Sequence, residues 1–300
     1  MVEAKDAARP EAIDARIHYA EPGLPRYRRF VATGAEVNTF GFTEHAVQIR
    51  NGRPHRDRLH LDAAGFELLD HKSKIANFLD QDEVGAVYPA EAIALVKDVT
   101  GASTVAITNW NLRSTDENEV RDFKARGRRD RTGRMQPPGL QVHIDHYPDV
   151  AERLARQLYE EQVPGGPGYH RAISMSLWRT FSDPSQDRPL AVCESPSVAP
   201  EEGLRNTLVF VDDVPDEAAR NAPIEGEETM QAATLFAYSP EHRWWFFPDM
   251  NRDEALLFKF HDSDHSGAWR VPHTAFVDRS VARPVTRKSI ELRCTAYFER

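Results

Sequence analysis

Six short segments, at 172–178, 207–211, 232–237, 244–247, 255–260 and 289–298, are rich in aliphatic, aromatic and β-branched residues and separated by turn material. Such a succession restricts the second half of the chain to a sandwich or barrel of strands. The 20 prolines and 16 glycines lean the same way, towards many turns and short elements. Ahead of it lies a mixed α/β stretch. Strands are expected at 17–19, at 46–49 (ending at the Asn51-Gly52 turn signal) and at 104–110. The 66–78 pattern reads as helical, and a clearer helix is expected over 89–100, with Pro89 in its first turn and Gly101 as its stop. Asp149 is expected to cap another helix, with Glu152 closing the box and Val150, Leu154 and Leu158 as its apolar stripe. The fold class is mainly β with flanking helices. One domain over 1–300 is expected, with an α/β extension of about 100 residues packed on the β core.

The totals exclude several classes. Charged residues make up 28% of the chain and the formal net charge is -9. That argues against a general nucleic-acid or anionic-membrane binder. No apolar run approaches a membrane span, and Met1-Val2-Glu3-Ala4-Lys5-Asp6 lacks a signal-peptide pattern, so a cytoplasmic protein is expected. Cys193 and Cys294, the only cysteines, fit reduced thiols and cannot form a cysteine-rich zinc site. The stretch 114–136 holds Arg121, Lys124, Arg126, Arg128, Arg129, Arg131 and Arg134 among interspersed acids. It reads as a solvated loop, with a lid that recognises an anionic group as the functional alternative.

That loop leads into Gln141-Val142-His143-Ile144-Asp145-His146, introduced by Pro137-Pro138-Gly139. In a strand, period two puts His143 and Asp145 on one face, Val142 and Ile144 on the other. An imidazole and a carboxylate then converge on one divalent metal, and a distant histidine would complete a 2-His-1-carboxylate triad. An isolated H-x-D is short and common, so the spacing alone does not identify a site. His273, in the strand-like Val271-Pro272-His273-Thr274-Ala275-Phe276, is the best distal partner; His265, His261 and His242 compete with it. Alternation turns His146 to the opposite face.

The last strand sorts Ile290, Leu292, Cys294, Ala296 and Phe298 onto one face, and Arg287, Ser289, Glu291, Arg293 and Thr295 onto the other. The second set is either a wet face or a cavity mouth, where Arg287 and Ser289 could hold a carboxylate. In Trp178-Arg179 the indole could wall a pocket, and the guanidinium could serve a salt bridge or a ligand. Trp244-Trp245 is either core packing or part of that wall. Arg113 and Arg134, at the two ends of the charged stretch, join Trp178 and Trp245 as pocket candidates. A P-loop and a dinucleotide-binding glycine fingerprint are both missing.

Taken in order, several pieces resemble one family. They are Tyr88-Pro89 with Thr100-Gly101-Ala102, Asn111-Leu112-Arg113, Val142-His143-Ile144-Asp145, Ser176-Leu177-Trp178-Arg179, Pro189-Leu190-Ala191-Val192-Cys193, Asp253-Glu254-Ala255-Leu256-Leu257-Phe258-Lys259, Pro272-His273-Thr274-Ala275-Phe276 and Arg287-Lys288-Ser289-Ile290-Glu291-Leu292-Arg293. Over roughly residues 40–298 the chain resembles the non-haem Fe(II)/2-oxoglutarate-dependent oxygenase-like family of AsaB-type hydroxylase/desaturases, CmcJ and NvfI. The resemblance implies a double-stranded β-helix (a cupin-like jelly roll) with iron held by His143, Asp145 and His273. It implies that Arg287 and Ser289, with Arg179 as a further candidate, grip 2-oxoglutarate. Molecular oxygen would be the co-substrate and an unactivated C–H bond of a small secondary metabolite the target, with room left for a homodimer. Two departures, Asn109-Trp110-Asn111 and Cys193-Glu194, bear on substrate choice. The competing classes are a cupin-like metal-dependent hydrolase or isomerase and a non-catalytic jelly-roll binding protein.

Overall fold

The computed structural model describes residues 9–121 and 135–299. The strands in chain order are β1 (Ala12–Ala20), β2 (Tyr27–Ala32), β3 (Ala35–Asn38), β4 (Phe42–Asn51) and β5 (Phe66–Asp70). Helix α1 (Gln81–Thr100) follows, then β6 (Thr104–Ser114), β7 (Met135–Gln136), β8 (His143–Ile144) and helix α2 (Pro148–Gln162). Next come β9 (Tyr169–Thr180), β10 (Leu190–Cys193), β11 (Gly203–Phe210), a short α3 (Glu217–Asn221), β12 (Ala232–Phe236) and β13 (Trp244–Phe246). The chain closes with β14 (Glu254–Asp262), β15 (His273–Ala275) and β16 (Lys288–Glu299). All six segments expected as strands in the second half are strands, each within a few residues of its expected ends.

Ten strands form one sheet in the order β1-β4-β13-β10-β15-β8-β12-β11-β2-β3, and six form a second in the order β5-β14-β9-β16-β6-β7. The fold is the expected jelly-roll type, mainly β with flanking helices. The N-terminal strands β1 and β4 add to one side of the larger sheet, β2 and β3 to the other.

Strands β5, β14 and β9 of the smaller sheet send apolar residues to both faces, alternating between two cores. Phe66, Leu68, Trp178, Leu256, Phe258 and Phe260 join Ile144, Trp244 and Phe246 of the larger sheet. The intervening Leu69, Leu177, Leu257, Ile290 and Leu292 pack on α1. That helix buries Val84, Tyr88, Ala92 and Val96 at four-residue spacing, each worth roughly 1–3 kcal/mol of apolar burial. Asp80 caps it, accepting from the backbone N–H of Asp82 and Glu83, both at 3.1 Å. Gly101, at φ 70°, ends it with its N–H on the Lys97 carbonyl.

Three local expectations are corrected. Residues 66–70 form a strand, not a helix, because antiparallel pairing with β14 (Phe66 opposite Phe258, Leu68 opposite Leu256) outweighs the local pattern. Pro89 lies inside α1 rather than in its first turn, since the cap at Asp80 starts the helix earlier. Asp149 does not cap α2: Pro148 occupies the first turn after Tyr147, and Asp149 accepts from Arg205 at 2.5 Å. The buried stripe of α2 is Val150, Ala151, Ala155 and Tyr159, with Leu154 and Leu158 only half-buried.

Candidate metal centre and its pocket

β8 pairs with β15 through a single register, His143 opposite His273. Directly opposed cross-strand side chains point to the same face, and the two rings stand 4.5 Å apart between centroids. Val142 and Ile144 are fully buried and alternate with His143, which fixes the parity of β8. The shared imidazole face looks towards the smaller sheet, where the His273 ring stands 4.8 Å from Phe258 and 5.6 Å from Phe260. The Nδ1 of His143 faces the Gln141 carbonyl at 2.7 Å, and that of His273 faces the Val271 carbonyl at 3.2 Å. With Nδ1 donating in each case, Nε2 is the nitrogen left with a lone pair for a metal. Asp145 brings Oδ1 to 3.4 Å from His143 Nε2. One ligand atom from each of His143, Asp145 and His273 lies within 4.8 Å of the others.

Close approach on the far side of His143 requires a glycine. A Cβ on Gly139 would meet His143 Cε1 at 2.8 Å, and the Gly139 carbonyl accepts from Ala275 N–H at 2.9 Å. His146 is placed differently from its expected position. The strand ends at Ile144, so alternation no longer applies, and His146 joins the same cavity wall as His143 and Asp145.

Charge is arranged around the triad from the smaller sheet. Arg293 Nε donates to Asp145 Oδ2 at 2.6 Å, and its Nη2 to Glu291 Oε1 at 2.5 Å. Arg113 grips the same Glu291 with two bonds of 2.8 Å. Burial alone would raise the Asp145 carboxyl, but Arg293 and the two histidines hold it well below the usual carboxylate range. Burial likewise opposes Arg113 and Arg293 at Glu291, and the arginines win, holding it at about 2. Burial, with His143 beside it, pushes His273 down to about 3, so that imidazole is neutral and ready to ligate.

Ser289, on the same polar side of β16, and Arg287, just ahead of that strand, continue the alternation. The Arg287 side chain is buried, its Nη1 donating to the Arg188 carbonyl at 2.7 Å and its guanidinium 5.7 Å from the Trp178 ring. Arg287 Nε and Ser289 Oγ are buried with no hydrogen-bond partner among the described residues. Unpaired buried donors are costly and rare, and this pair has the chemistry to receive a carboxylate. Burial lowers the Arg287 guanidinium to about 9, which an anionic partner would reverse.

A cavity of about 740 Å³ is lined by His143 and Asp145, with His273 buried behind them. Arg113 and Arg293 also line it, together with Asn206, Leu208, Phe210 and Leu235. The remaining sequence candidates fall elsewhere. Arg179 faces the α1 side, because parity on β9 sends Trp178 to one core and its neighbour to the other. It donates to the His71 carbonyl at 2.7 Å, the Arg252 carbonyl at 2.5 Å and His71 Nδ1 at 2.6 Å, leaving nothing for a cofactor. Trp178 packs in the inter-sheet core beneath Arg287 and is not in the cavity wall. Trp245 also belongs to that core, its indole N–H on Glu194 at 3.1 Å. His242 is occupied by Tyr19 and Glu202, both at 3.0 Å, and His265 stacks on Trp269. His261 is buried near Glu152 in a separate, smaller cavity. Arg134 and the middle of the charged stretch 114–136, read as a solvated loop or alternatively a lid, lie in 122–134, outside the described residues. The two ends of the stretch belong to β6 and β7.

Sequence reasoning set Glu291 and Arg293 on the polar side of the last strand without tying them to the triad, and missed Gln136, Asn206 and Leu140 in the wall. For the first two the signal was present: they continue the Arg287-Ser289 alternation of the last strand.

A family model described as an oxidoreductase/YMDC permease-like domain matches residues 17–297. A hydroxylase/desaturase, efuI, from Hormonema carpetanum is 31% identical over 285 residues, covering 93% of this chain and 92% of its own. The hydroxylase/desaturase CTB9 of Cercospora beticola is 31% identical, covering 86% and 78%. The Fe(II)/2-oxoglutarate-dependent dioxygenase nvfI of Aspergillus novofumigatus is 27% identical, covering 90% of each. Among solved structures, the iron and alpha-ketoglutarate-dependent endoperoxidase NvfI superposes with a TM-score of 0.75 at 23% identity. It covers 97% of this chain and 99% of its own, a likeness of fold.

Proposed function

Because the chain belongs to the non-haem Fe(II)/2-oxoglutarate-dependent oxygenase family that includes these hydroxylase/desaturases, we propose that His143, Asp145 and His273 hold its iron. It is an oxidoreductase that uses Fe(II), 2-oxoglutarate and molecular oxygen. The cofactors together supply the oxidising power to break an unactivated C–H bond of a small molecule. The observation that carries the site assignment is the cross-strand pairing of His143 with His273, with Asp145 two residues on. Two imidazoles and one carboxylate match the donor set of a facial triad that leaves open positions.

Arg287 and Ser289 take the distal carboxylate of 2-oxoglutarate; their orphaned polar atoms support this reading. A fork-shaped cation suits a carboxylate better than a point charge. Secondary-metabolite oxidation (hydroxylation, desaturation or oxidative cyclisation) is the proposed setting, in a cytoplasmic protein. Arg113 and Arg293 of the cavity are each paired with carboxylates. The described walls therefore favour a neutral substrate over an anionic one. An anionic substrate would have to draw on the basic run 122–134. No helix among the described residues is long and apolar enough to cross a membrane.

Anaerobic addition of Fe(II) and then 2-oxoglutarate tests the reading. A visible charge-transfer absorption is expected in the wild type and is lost in His143→Ala, Asp145→Ala and His273→Ala, with circular dichroism unchanged. Its absence from the wild type would favour a metal hydrolase, an isomerase or a binding protein.

A further inference from the structure

We propose that Arg293 is the positioning residue of the metal centre: it ties down one oxygen of Asp145 so that only the other is offered to the ion. The inference rests on the ligand assignment above. Asp145 follows β8 of the larger sheet and Arg293 belongs to β16 of the smaller, yet Nε donates to Oδ2 at 2.6 Å. The oxygen left over, Oδ1, is the one turned towards His143, 3.4 Å from its Nε2.

The guanidinium is itself held in place. Its Nη2 donates to Glu291 Oε1 at 2.5 Å and its Nη1 to Asn109 Oδ1 at 3.1 Å. Glu291 is held from the other side by Arg113, whose own Nη1 donates to the Pro137 carbonyl at 2.7 Å. Pro137 lies in the segment that leads into β8. The ligand-bearing stretch is thus anchored to the smaller sheet twice, at Pro137 ahead of the triad and at Asp145 within it. Charge alternates along the relay, Arg113 to Glu291 to Arg293 to Asp145, so every buried charge has an opposite neighbour.

A carboxylate with both oxygens free can bind a metal through one or through both. Engaging Oδ2 with Arg293 would limit Asp145 to offering one oxygen, so that the three protein ligands would leave positions open for other ligands. Hydrogen-bonded carboxylate ligands of this kind typically lose metal affinity when the supporting residue is removed.

The sign of the effect separates positioning from charge. A cation beside the site repels a divalent ion, so removing it should by itself tighten metal binding. A loss of affinity in Arg293→Met is the direction expected from losing the clamp and opposite to the direct effect of the charge on the ion. The test is titration of inorganic Mn(II) into the metal-free protein, following the electron paramagnetic resonance of the free aquo ion. Arg293→Met is expected to bind about 10–100-fold more weakly. Arg293→Lys keeps the charge and loses the fork, so it should show a smaller loss; it also covers the case in which the methionine variant does not fold, judged by thermal melting of the metal-free proteins. Unchanged or tighter Mn(II) binding in the folded variants overturns the proposal. His143→Ala and Asp145→Ala run alongside. If both bind Mn(II) like the wild type, the ligand assignment fails; if they lose it while the Arg293 variants do not, only the role of Arg293 fails.

Discussion

His143 and His273, 130 positions apart in the chain, are directly opposed on neighbouring antiparallel strands. Both imidazoles therefore ride on a hydrogen-bonded ladder inside a ten-stranded sheet. Their separation is set by strand spacing, which varies little. Sites built on strands hold their geometry better than sites on loops.

Arg287→Ala should raise the KM for 2-oxoglutarate strongly. Truncating one member of a buried charged pair costs about 2–5 kcal/mol, which is roughly 30-fold or more in affinity. Arg287→Lys should recover part of it, since an ammonium cannot reproduce the fork. Steady-state succinate formation against 2-oxoglutarate concentration measures both; unchanged KM values would remove Arg287 as the anchor.

Arg179→Met should behave in the opposite way. It orphans the His71 and Arg252 carbonyls in a buried setting, at about 1–3 kcal/mol for each unsatisfied group. A lower melting temperature with an unchanged 2-oxoglutarate KM is the expected result. A selective rise in KM at wild-type stability would return Arg179 to the cofactor site.

Two glycine substitutions should differ in kind. Gly139→Ala puts a Cβ 2.8 Å from His143 Cε1, displacing the ring, and should weaken the Fe(II)/2-oxoglutarate absorption and turnover by about tenfold or more. A Cβ on Gly85, within α1, meets nothing within 4 Å. Gly85→Ala should leave turnover alone and add about 0.5–1 kcal/mol of stability. Denaturant unfolding and turnover, measured on both proteins, check the contrast.

Glu291 predicts a pH signature. Its carboxyl is held at about 2, below an ordinary 4.5. A depressed folded-state value means that its contribution to stability is fully present above 4.5, declines as pH falls, and is gone below about 2. Glu291→Gln should therefore be less stable than the wild type at pH 7. The gap should narrow as pH drops through the window from 4.5 towards 2, read from thermal melts at a series of pH values. A gap independent of pH would mean the residue acts by shape rather than charge.

What the chain disclosed on sight was mostly local. Period two around Val142 and Ile144 already separated His143 and Asp145 from the core, and the six C-terminal strands announced themselves through composition and turns. The helix read at 66–78 failed because five residues cannot reveal a pairing with β14, almost 190 positions away. Arg179 stayed open between a structural contact and a ligand, because the sequence does not say which face of β9 looks at the other sheet. In the fold its guanidinium meets the His71 and Arg252 carbonyls. The bond from Arg293 to Asp145 spans 148 positions and two sheets; nothing in either neighbourhood points to the other.

The division of the centre between two sheets has a thermodynamic consequence. The proposed ligands belong to the larger sheet, and the arginines that complete it come from the smaller one. A chain whose sheets have come apart offers a lone histidine pair and an unclamped carboxylate. Metal should thus bind the closed sandwich far better than any opened form, and occupancy pulls the opening equilibrium shut by mass action. At a free metal concentration a hundred times Kd, this linkage adds about 2.7 kcal/mol against unfolding. Amide exchange in β8, β15 and β16 should slow together on loading, since the ion ties the fate of one sheet to that of the other.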